Sequence, residues 1–185
     1  MTLITYKSLR ILCLSDTHGM HRSLIVPNAD VIIHCGDVCE GGDENQLKDF
    51  FEWFSALSIK YKLFVAGNHD LVFELELEKA KEMIPENVIF LENSLIDLGG
   101  VTFYGLVARP WMHEKLPTPM HTDILITHGP PQGVYDEKSG CPILRKTIEE
   151  LEPVIHVFGH IHSEGGKSRK RKGVTYYNVV NTKPK

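Results

Sequence analysis

The feature that most constrains the fold is a set of short, nearly unbroken apolar runs that each stop at a glycine, acid, amide or histidine. Five of them end in groups that can bind a metal. Residues 10–15 lead into Asp16-Thr17-His18, 30–35 into Gly36-Asp37, and 62–66 into Gly67-Asn68-His69-Asp70; 124–127 lead into His128-Gly129, and 154–158 into Gly159-His160-Ile161-His162. Runs this short are too brief for helices, and continuous ones such as Val31-Ile32-Ile33 suit strands buried on both faces. The polar groups then stand at strand C-termini. In open α/β sheets the loops from several strands converge there, so groups distant in sequence can share one cleft.

Further runs at 88–91, 101–106 and 174–180 raise the expected strand count to about eight. A helix is predicted over 43–58, with Asp43 as cap, Gln46 three residues on, and Leu47, Phe50, Phe51, Phe54 and Leu57 forming one apolar stripe. A second is predicted over 71–83, ending before Pro85, and a third opens at Pro142 with Leu144, Ile148 and Leu151 on one face. The pattern describes a sheet system covered by helices. With no repeat and no linker, 1–185 reads as one domain, and 185 residues are enough to bury a core without staples.

The apolar runs are far shorter than the roughly 20 residues of a spanning helix, and the start of the chain is a poor signal peptide. The expectation is a cytoplasmic protein with no membrane partner. Cys13, Cys35, Cys39 and Cys141 show no Cys-x-x-Cys pairing, and read as reduced thiols.

Residues i and i+2 of extended chain project to the same side, so Asp16 with His18, and His160 with His162, can each aim two donors at one point. The candidate donors are Asp16, His18, Asp37, Asn68, His128, His160 and His162. They exceed the four positions of one zinc and suit two ions sharing a bridging carboxylate. A mixed oxygen and nitrogen set without thiolate favours Mn, Fe, Zn or a similar metal over Ca. The bland alternative, satisfied core or surface histidines, would put five of the ten histidines at strand ends beside Gly, Asp or Asn by accident. His34 and His156, inside apolar runs, read as satisfied buried histidines, with the fixing of a ligand as the alternative. His21, His113 and His121 read as having no specific role. Asp123 reads as a cap or turn residue, and Trp111 as core or a base platform.

In this order the blocks Asp-x-His, Gly-Asp, Gly-Asn-His-Asp, His and Gly-His-x-His closely resemble the calcineurin-like metallophosphoesterase superfamily. The tetrapeptide Gly-Asn-His-Asp is the most specific of them, expected by chance in under about one in a thousand chains of this length. The likeness runs from about Leu9 to Asn181. Residues 105–111, 123–131 and 157–162 look most like the metallophosphoesterase-domain-containing proteins related to class III cyclic-nucleotide phosphodiesterases. The sequence departs from that pattern at Cys39, where relatives often carry a hydroxyl, and over 112–121, which looks shorter than the usual insertion.

The resemblance implies an α/β fold of two mixed β-sheets packed together and flanked by helices. It implies one divalent ion on Asp16, His18, Asp37 and His162 and a second on Asp37, Asn68, His128 and His160, with Mn favoured and Fe, Zn or Ni allowed. His69 would contact substrate phosphate beside Asn68 and protonate the leaving group, and Asp70 would orient His69. Arg109 is a further candidate for substrate, gripping a phosphate or stacking on a base. The implied activity is hydrolysis of a small phosphodiester, such as a cyclic nucleotide, or of a phosphomonoester by a water that the two ions activate and share. The other readings are a protein-binding scaffold of the same fold and a nuclease. The net charge of -4 argues against nucleic acid, and the basic run 167–172, the nuclease reading's only support, reads as a solvated hairpin loop with steering of a phosphate-bearing partner as the alternative.

Overall fold

In the computed structural model, which describes residues 1–181, the apolar runs form the interior strands of two sheets; residues 182–185 of the expected domain lie outside the described residues. The order is β1 (Thr2–Tyr6), β2 (Leu9–Leu14), β3 (Val31–His34), α1 (Glu44–Ala56), β4 (Tyr61–Phe64), α2 (Val72–Leu75), α3 (Leu77–Glu82), β5 (Ile89–Phe90), β6 (Ser94–Asp97), β7 (Thr102–Gly105), β8 (Ile124–Ile126), α4 (Pro142–Leu151), β9 (Ile155–Phe158), β10 (Ser168–Arg171) and β11 (Val174–Asn178). The first sheet runs β1-β2-β3-β4-β5, parallel except for β1. The second runs β10-β11-β9-β8-β7-β6, with antiparallel strands at both edges.

Alternation along each interior strand feeds two apolar layers. Ile11, Val31, Ile33 and Leu63 of the first sheet meet Phe103, Ile124, Ile126 and Val157 of the second. The intervening residues Leu12, Ile32 and Phe64 point the other way, under Leu47, Phe50, Phe51 and Phe54 of α1. Leu125 and Phe158 do the same under Leu144, Ile148 and Leu151 of α4. Each such side chain contributes about 1.5–3 kcal/mol when fully buried, which fixes both helices on the outer faces. The expected architecture, two mixed sheets packed together and flanked by helices, is the one observed.

Asp43 caps α1 through its Oδ1, which accepts from the N–H of Asn45 at 2.9 Å and of Gln46 at 3.3 Å. The Gln46 carboxamide accepts the Glu40 N–H at 2.9 Å, holding the loop that follows Asp37. The single helix expected over 71–83 is two helices broken at Glu76, where φ is -142°. Nothing in the residue pattern marks that break. The basic run is exposed in a hairpin, as expected, but most of it is strand and not loop: β10 pairs with β11 in register from Ser168 to Arg171, and Lys172 lies in the turn between them.

Asp123 is a pin between the sheets instead of a cap. Its carboxylate accepts the Tyr6 hydroxyl at 2.8 Å and the Lys7 ammonium at 3.2 Å from the β1 side, and the Thr102 N–H at 2.9 Å on β7. At the other end the Asn181 N–H donates to the Ser15 carbonyl at 3.0 Å, so the strand ends of both sheets are held side by side. All four cysteines are buried and unpaired.

Candidate metal centre

The five loops that leave the interior strands meet at that shared end. Backbone hydrogen bonds tie them in pairs. Asp16 N–H donates to Gly36 O at 2.9 Å, His18 N–H to Asp37 O at 3.1 Å, and Gly159 N–H to His128 O at 2.8 Å. Asp16, His18, Asp37 and His160 have φ of 57°, 42°, 57° and 69°, in the left-handed region that L residues rarely adopt. Strain of this kind costs of order 1–3 kcal/mol per residue and persists where the surroundings impose it, characteristically at functional sites. Two glycines are required by closeness. A Cβ on Gly67 would lie 2.1 Å from Asp37 Oδ1, and one on Gly159 would lie 2.3 Å from Asp16 Oδ2.

The candidate donors fall into two sets. Asp16, His18 and His162 offer ligand atoms within 4.8 Å of one another, as do Asp37, His128 and His160. Asp37 joins the sets: its Oδ2 is 3.3 Å from His128 Nε2 and 4.0 Å from His18 Nε2. Asn68 Oδ1 stands 2.9 Å from His128 Nε2. All seven predicted donors are therefore brought together.

The chemistry of this arrangement asks for a cation. His128 Nδ1 donates to the Cys35 carbonyl at 2.8 Å, and His18 Nδ1 faces the Cys39 carbonyl at 3.3 Å, which leaves each Nε2 as the inward donor. In neutral His128 that lone pair points at the oxygens of Asp37 and Asn68. Asp16 Oδ1 is buried with no hydrogen-bond partner among the described residues, since His162 Nε2 approaches to 3.2 Å without the alignment of a hydrogen bond. A buried carboxylate oxygen without a donor is costly unless a cation compensates it.

The ionisation pattern has the same sense. Burial opposes the charge on His128, yet the Asp37 carboxylate outweighs it and pushes the imidazole up to about 9. Burial also opposes ionisation of Asp37, but the His128 charge and contact hold its carboxyl well below the usual range. Asp16 is likewise held low against burial, by the neighbouring His162 and the charge of His128. Burial, helped by the His128 charge, lowers His160 to about 4 and leaves it a neutral donor. A field that stabilises a proton on a buried imidazole this strongly also favours a cation at its inward nitrogen. The donor set fits divalent ions.

His69 lies at the mouth of the centre, its ring 5.0 Å from that of His18. Its N–H donates to Asp37 Oδ1 at 2.8 Å. Its Nδ1 lies 3.4 Å from the Gly41 N–H and 3.5 Å from Glu40 Oε2. The expectation that Asp70 orients this ring is not met. The Asp70 carboxylate is fully buried and accepts four backbone N–H groups: Asp37 and Val38 at 2.9 Å, Cys39 at 3.2 Å and Gly67 at 2.8 Å. Asp70 therefore positions the loop that carries Asp37. The carboxylate beside His69 belongs to Glu40, which sequence reasoning missed; its other oxygen is 3.2 Å from His18 Nδ1.

Arg109 is also displaced from its expected role. Its guanidinium is 10% exposed, paired with Glu92 and donating to the Phe73 carbonyl at 3.3 Å, so it is committed to structure and not offered to a substrate. Trp111 is half-exposed and donates its indole N–H to the Ser139 carbonyl at 2.6 Å.

The two buried histidines read as satisfied core do more than fill space. His34 Nδ1 accepts the Gly36 N–H at 3.2 Å, so its Nε2 donates to Thr17 Oγ1 at 3.0 Å, between Asp16 and His18. Thr127 gives its hydroxyl proton to the Gly129 carbonyl, so His156 Nε2 donates to Thr127 Oγ1 at 2.9 Å, beside His128. Burial lowers both to about 3, which keeps them neutral. His21, read as idle, is buried against Phe50 and Trp53 and meets Asp49 at 2.8 Å.

A cleft of about 1090 Å³ opens beside this centre, lined by Asp16, His18, Glu40 and His162 and walled by Met20, Leu24, Ile25 and Val180. No helix among the described residues is long and apolar enough to cross a membrane.

Comparison with known proteins gives these features a family. The calcineurin-like phosphoesterase profile matches residues 9–164. A UPF0046 protein of Caenorhabditis elegans is 35% identical over 85% of this chain and 65% of its own length. Metallophosphoesterase domain-containing protein 1 of Homo sapiens is 34% identical over 85% of this chain and 61% of its own length. The chain thus spans under two thirds of these relatives. Among solved structures, a protein of Thermus thermophilus aligns with TM-score 0.62 over 91% of this chain and 89% of its own. Phosphopantetheinyl hydrolase of Mycobacterium tuberculosis aligns with TM-score 0.59 over 93% and 89%. Both are 14% identical and share the fold alone. From the profile match and the curated relatives, the chain belongs to the calcineurin-like phosphoesterase family, alongside the metallophosphoesterase domain-containing proteins.

Proposed function

We propose that this chain is a metal-dependent phosphoesterase, a cytoplasmic single-domain hydrolase that cleaves small phosphodiesters, cyclic nucleotides among them, or phosphomonoesters. The observation that carries the reading is the meeting of two donor sets at Asp37, with a buried Asp16 oxygen that has no donor among the described residues. Asp16, His18, Asp37 and His162 would hold one divalent ion; Asp37, Asn68, His128 and His160 would hold the other, with Mn first and Fe, Zn or Ni as alternatives. Two such ions supply a positive field for phosphoryl oxygens and make water acidic enough to act as a nucleophile near neutral pH.

The chain's own residues do the rest. The Cys35 and Cys39 carbonyls fix the His128 and His18 rings, and Asp70 fixes the turn that presents Asp37. Both polar contacts of the His69 ring engage Nδ1, so Nε2 is the nitrogen available to a substrate. In its cationic form, with Nδ1–H turned from the Gly41 N–H to the Glu40 carboxylate, His69 would give its Nε2 proton to the departing alkoxide and be left a neutral imidazole, a step worth typically about 10²–10⁴-fold. The apolar wall of Met20, Leu24 and Ile25 suits an ester with a flat or apolar organic group. No residue of the basic run lines this cleft, and Arg171 and Lys172 line a different cavity, which favours a small ester over a nucleic acid.

The test is metal-stripped protein reconstituted with Mn, Ni, Fe or Zn and assayed against nitrophenyl diester and monoester, then 2′,3′- and 3′,5′-cyclic nucleotides, with metal content measured in parallel. The expected result is two ions bound per chain and turnover with at least one metal. Folded, metal-loaded protein inactive with every metal and substrate would replace this reading with the scaffold.

A further inference from the structure

The basic run has a partner in the fold. In the hairpin of β10 and β11, strand alternation puts Arg169 and Arg171 on one face and Lys170 on the other. Arg169 Nη2 donates to the Gly133 carbonyl at 2.6 Å, and Arg171 Nη1 to the same oxygen at 3.1 Å. Arg145 reaches in from α4 and donates to the Gln132 carbonyl at 3.2 Å. Arg145, Arg171 and Lys172 then line a cavity of about 260 Å³ floored by Val134, Ile148, Val174 and Tyr176.

The charges around this cavity do not cancel. Glu149 lies 3.5 Å from Arg145 and 3.0 Å from Lys172, and Glu152 also lines the wall. Among the described residues, no carboxylate comes within 4.0 Å of Arg169 or Arg171. Carbonyl oxygens satisfy guanidinium N–H groups without neutralising them, so Arg169 and Arg171 keep their full charge on the same turn as Arg145, whose partner Glu149 is shared with Lys172. A concave site with an apolar floor and convergent charged donors is the usual form of a small-molecule site.

We propose that this cavity binds a phosphate monoester carrying a small aromatic or apolar group. The phosphate sits against Arg145, Arg171 and Lys172, and the organic group rests on Val134, Ile148, Val174 and Tyr176. Planar guanidinium donors match phosphate oxygens two at a time. A phosphate monoester carries about 1.5–2 negative charges near neutral pH, more than a carboxylate, which suits several cations only partly offset by Glu149 and Glu152. None of these residues belongs to the candidate metal centre, so the site stands independently of the proposed hydrolysis.

The experiment is a titration of chelator-treated protein with phenyl phosphate, inorganic phosphate, benzoate and phenol, followed by amide chemical shifts. Phenyl phosphate is expected to move the amides of Gly133, Ile148 and Val174 and to bind about tenfold more tightly than benzoate or phenol. Arg171→Gln is expected to weaken it about tenfold, the value of one charge-assisted hydrogen bond. Glu149→Gln, which leaves every cation in place and removes one opposing charge, is expected to bind it more tightly and covers the case in which the arginine variant fails to fold. Shifts confined to the neighbourhood of Gly36 and Gly159, benzoate binding as tight as phenyl phosphate, or unchanged affinity in the Glu149→Gln variant would each overturn the proposal.

Discussion

Asp123→Asn tests whether the two sheets are pinned together by charge. The substitution keeps the side chain's shape but presents either an amide NH2 or a neutral oxygen to the Lys7 ammonium, the Tyr6 hydroxyl and the Thr102 N–H. Burial works against the Asp123 carboxylate, but the Thr102 N–H, the Tyr6 hydroxyl and Lys7 outweigh it and bring the group down to about 2. Against an unfolded value of 3.8, at 1.36 kcal/mol per unit, the carboxylate contributes about 2.5 kcal/mol; Lys7 is half-exposed, so screening trims this to roughly 2 kcal/mol. Because the folded value is depressed, that stability is present above about pH 4 and is lost as the pH falls through 2. Urea unfolding of both proteins at pH 5 and pH 2 isolates the effect, since the other carboxylates titrate alike in each. The variant should be less stable by roughly 2 kcal/mol at pH 5, a fall in Tm of about 4–8 °C, and by under about 0.5 kcal/mol at pH 2. A gap of equal size at both pH values would refute the charge argument. A gap below about 0.5 kcal/mol at pH 5 would refute the pin itself.

The remaining predictions concern the centre and its supports. His69→Ala should slow hydrolysis by about 10²-fold or more for esters with poor leaving groups, and less for nitrophenyl esters, with metal content unchanged; equal losses for both would remove the acid role. Asp70→Asn leaves two of four buried backbone N–H groups facing an amide donor, and should cost about 2–4 kcal/mol in urea unfolding together with weaker metal retention on dialysis. Unaltered stability and metal content would show that those hydrogen bonds do not position Asp37. Arg109→Ala strands Glu92 and should cost about 1–3 kcal/mol of stability while leaving KM for a small ester near the original; a large rise in KM at unchanged Tm would return Arg109 to the substrate.

How much of this was legible in the sequence follows from where each interaction closes. Most interior strands are buried on both faces over most of their length, so their residues are largely apolar and the runs stand out. The strands that pattern reading misses, β1, β6 and β10, are all sheet edges, one of the first sheet and both of the second. An edge strand needs only one buried face and gains from charge that discourages further pairing, so Ser168–Arg171 looks like a loop until β11 is beside it. The same distinction divides the site. The ligand candidates are local signals, i and i+2 at a strand end, and the sequence states them outright. The groups that orient them are not local.

Asp70 looks like the support of His69 because it is next in the chain. In the tight turn of 67–70, however, its carboxylate folds back to the Gly67 N–H and across to residues 37–39, and the carboxylate that reaches His69 comes from Glu40 on another loop. His34 and His156 show the rule in its simplest form. Each stands on one strand and bonds a threonine that follows the neighbouring parallel strand, Thr17 after β2 and Thr127 after β8. Neither pair has a sequence spacing to recognise, because the spacing is set by the length of the crossover and not by the contact. Once strand order and register are known, both follow at once: a histidine inside an apolar run, one strand over from a threonine flanking a site residue, is placed to hold that residue's loop. A sequence therefore discloses what a site is made of before it discloses what holds the site in shape, and the holding residues become readable only from topology.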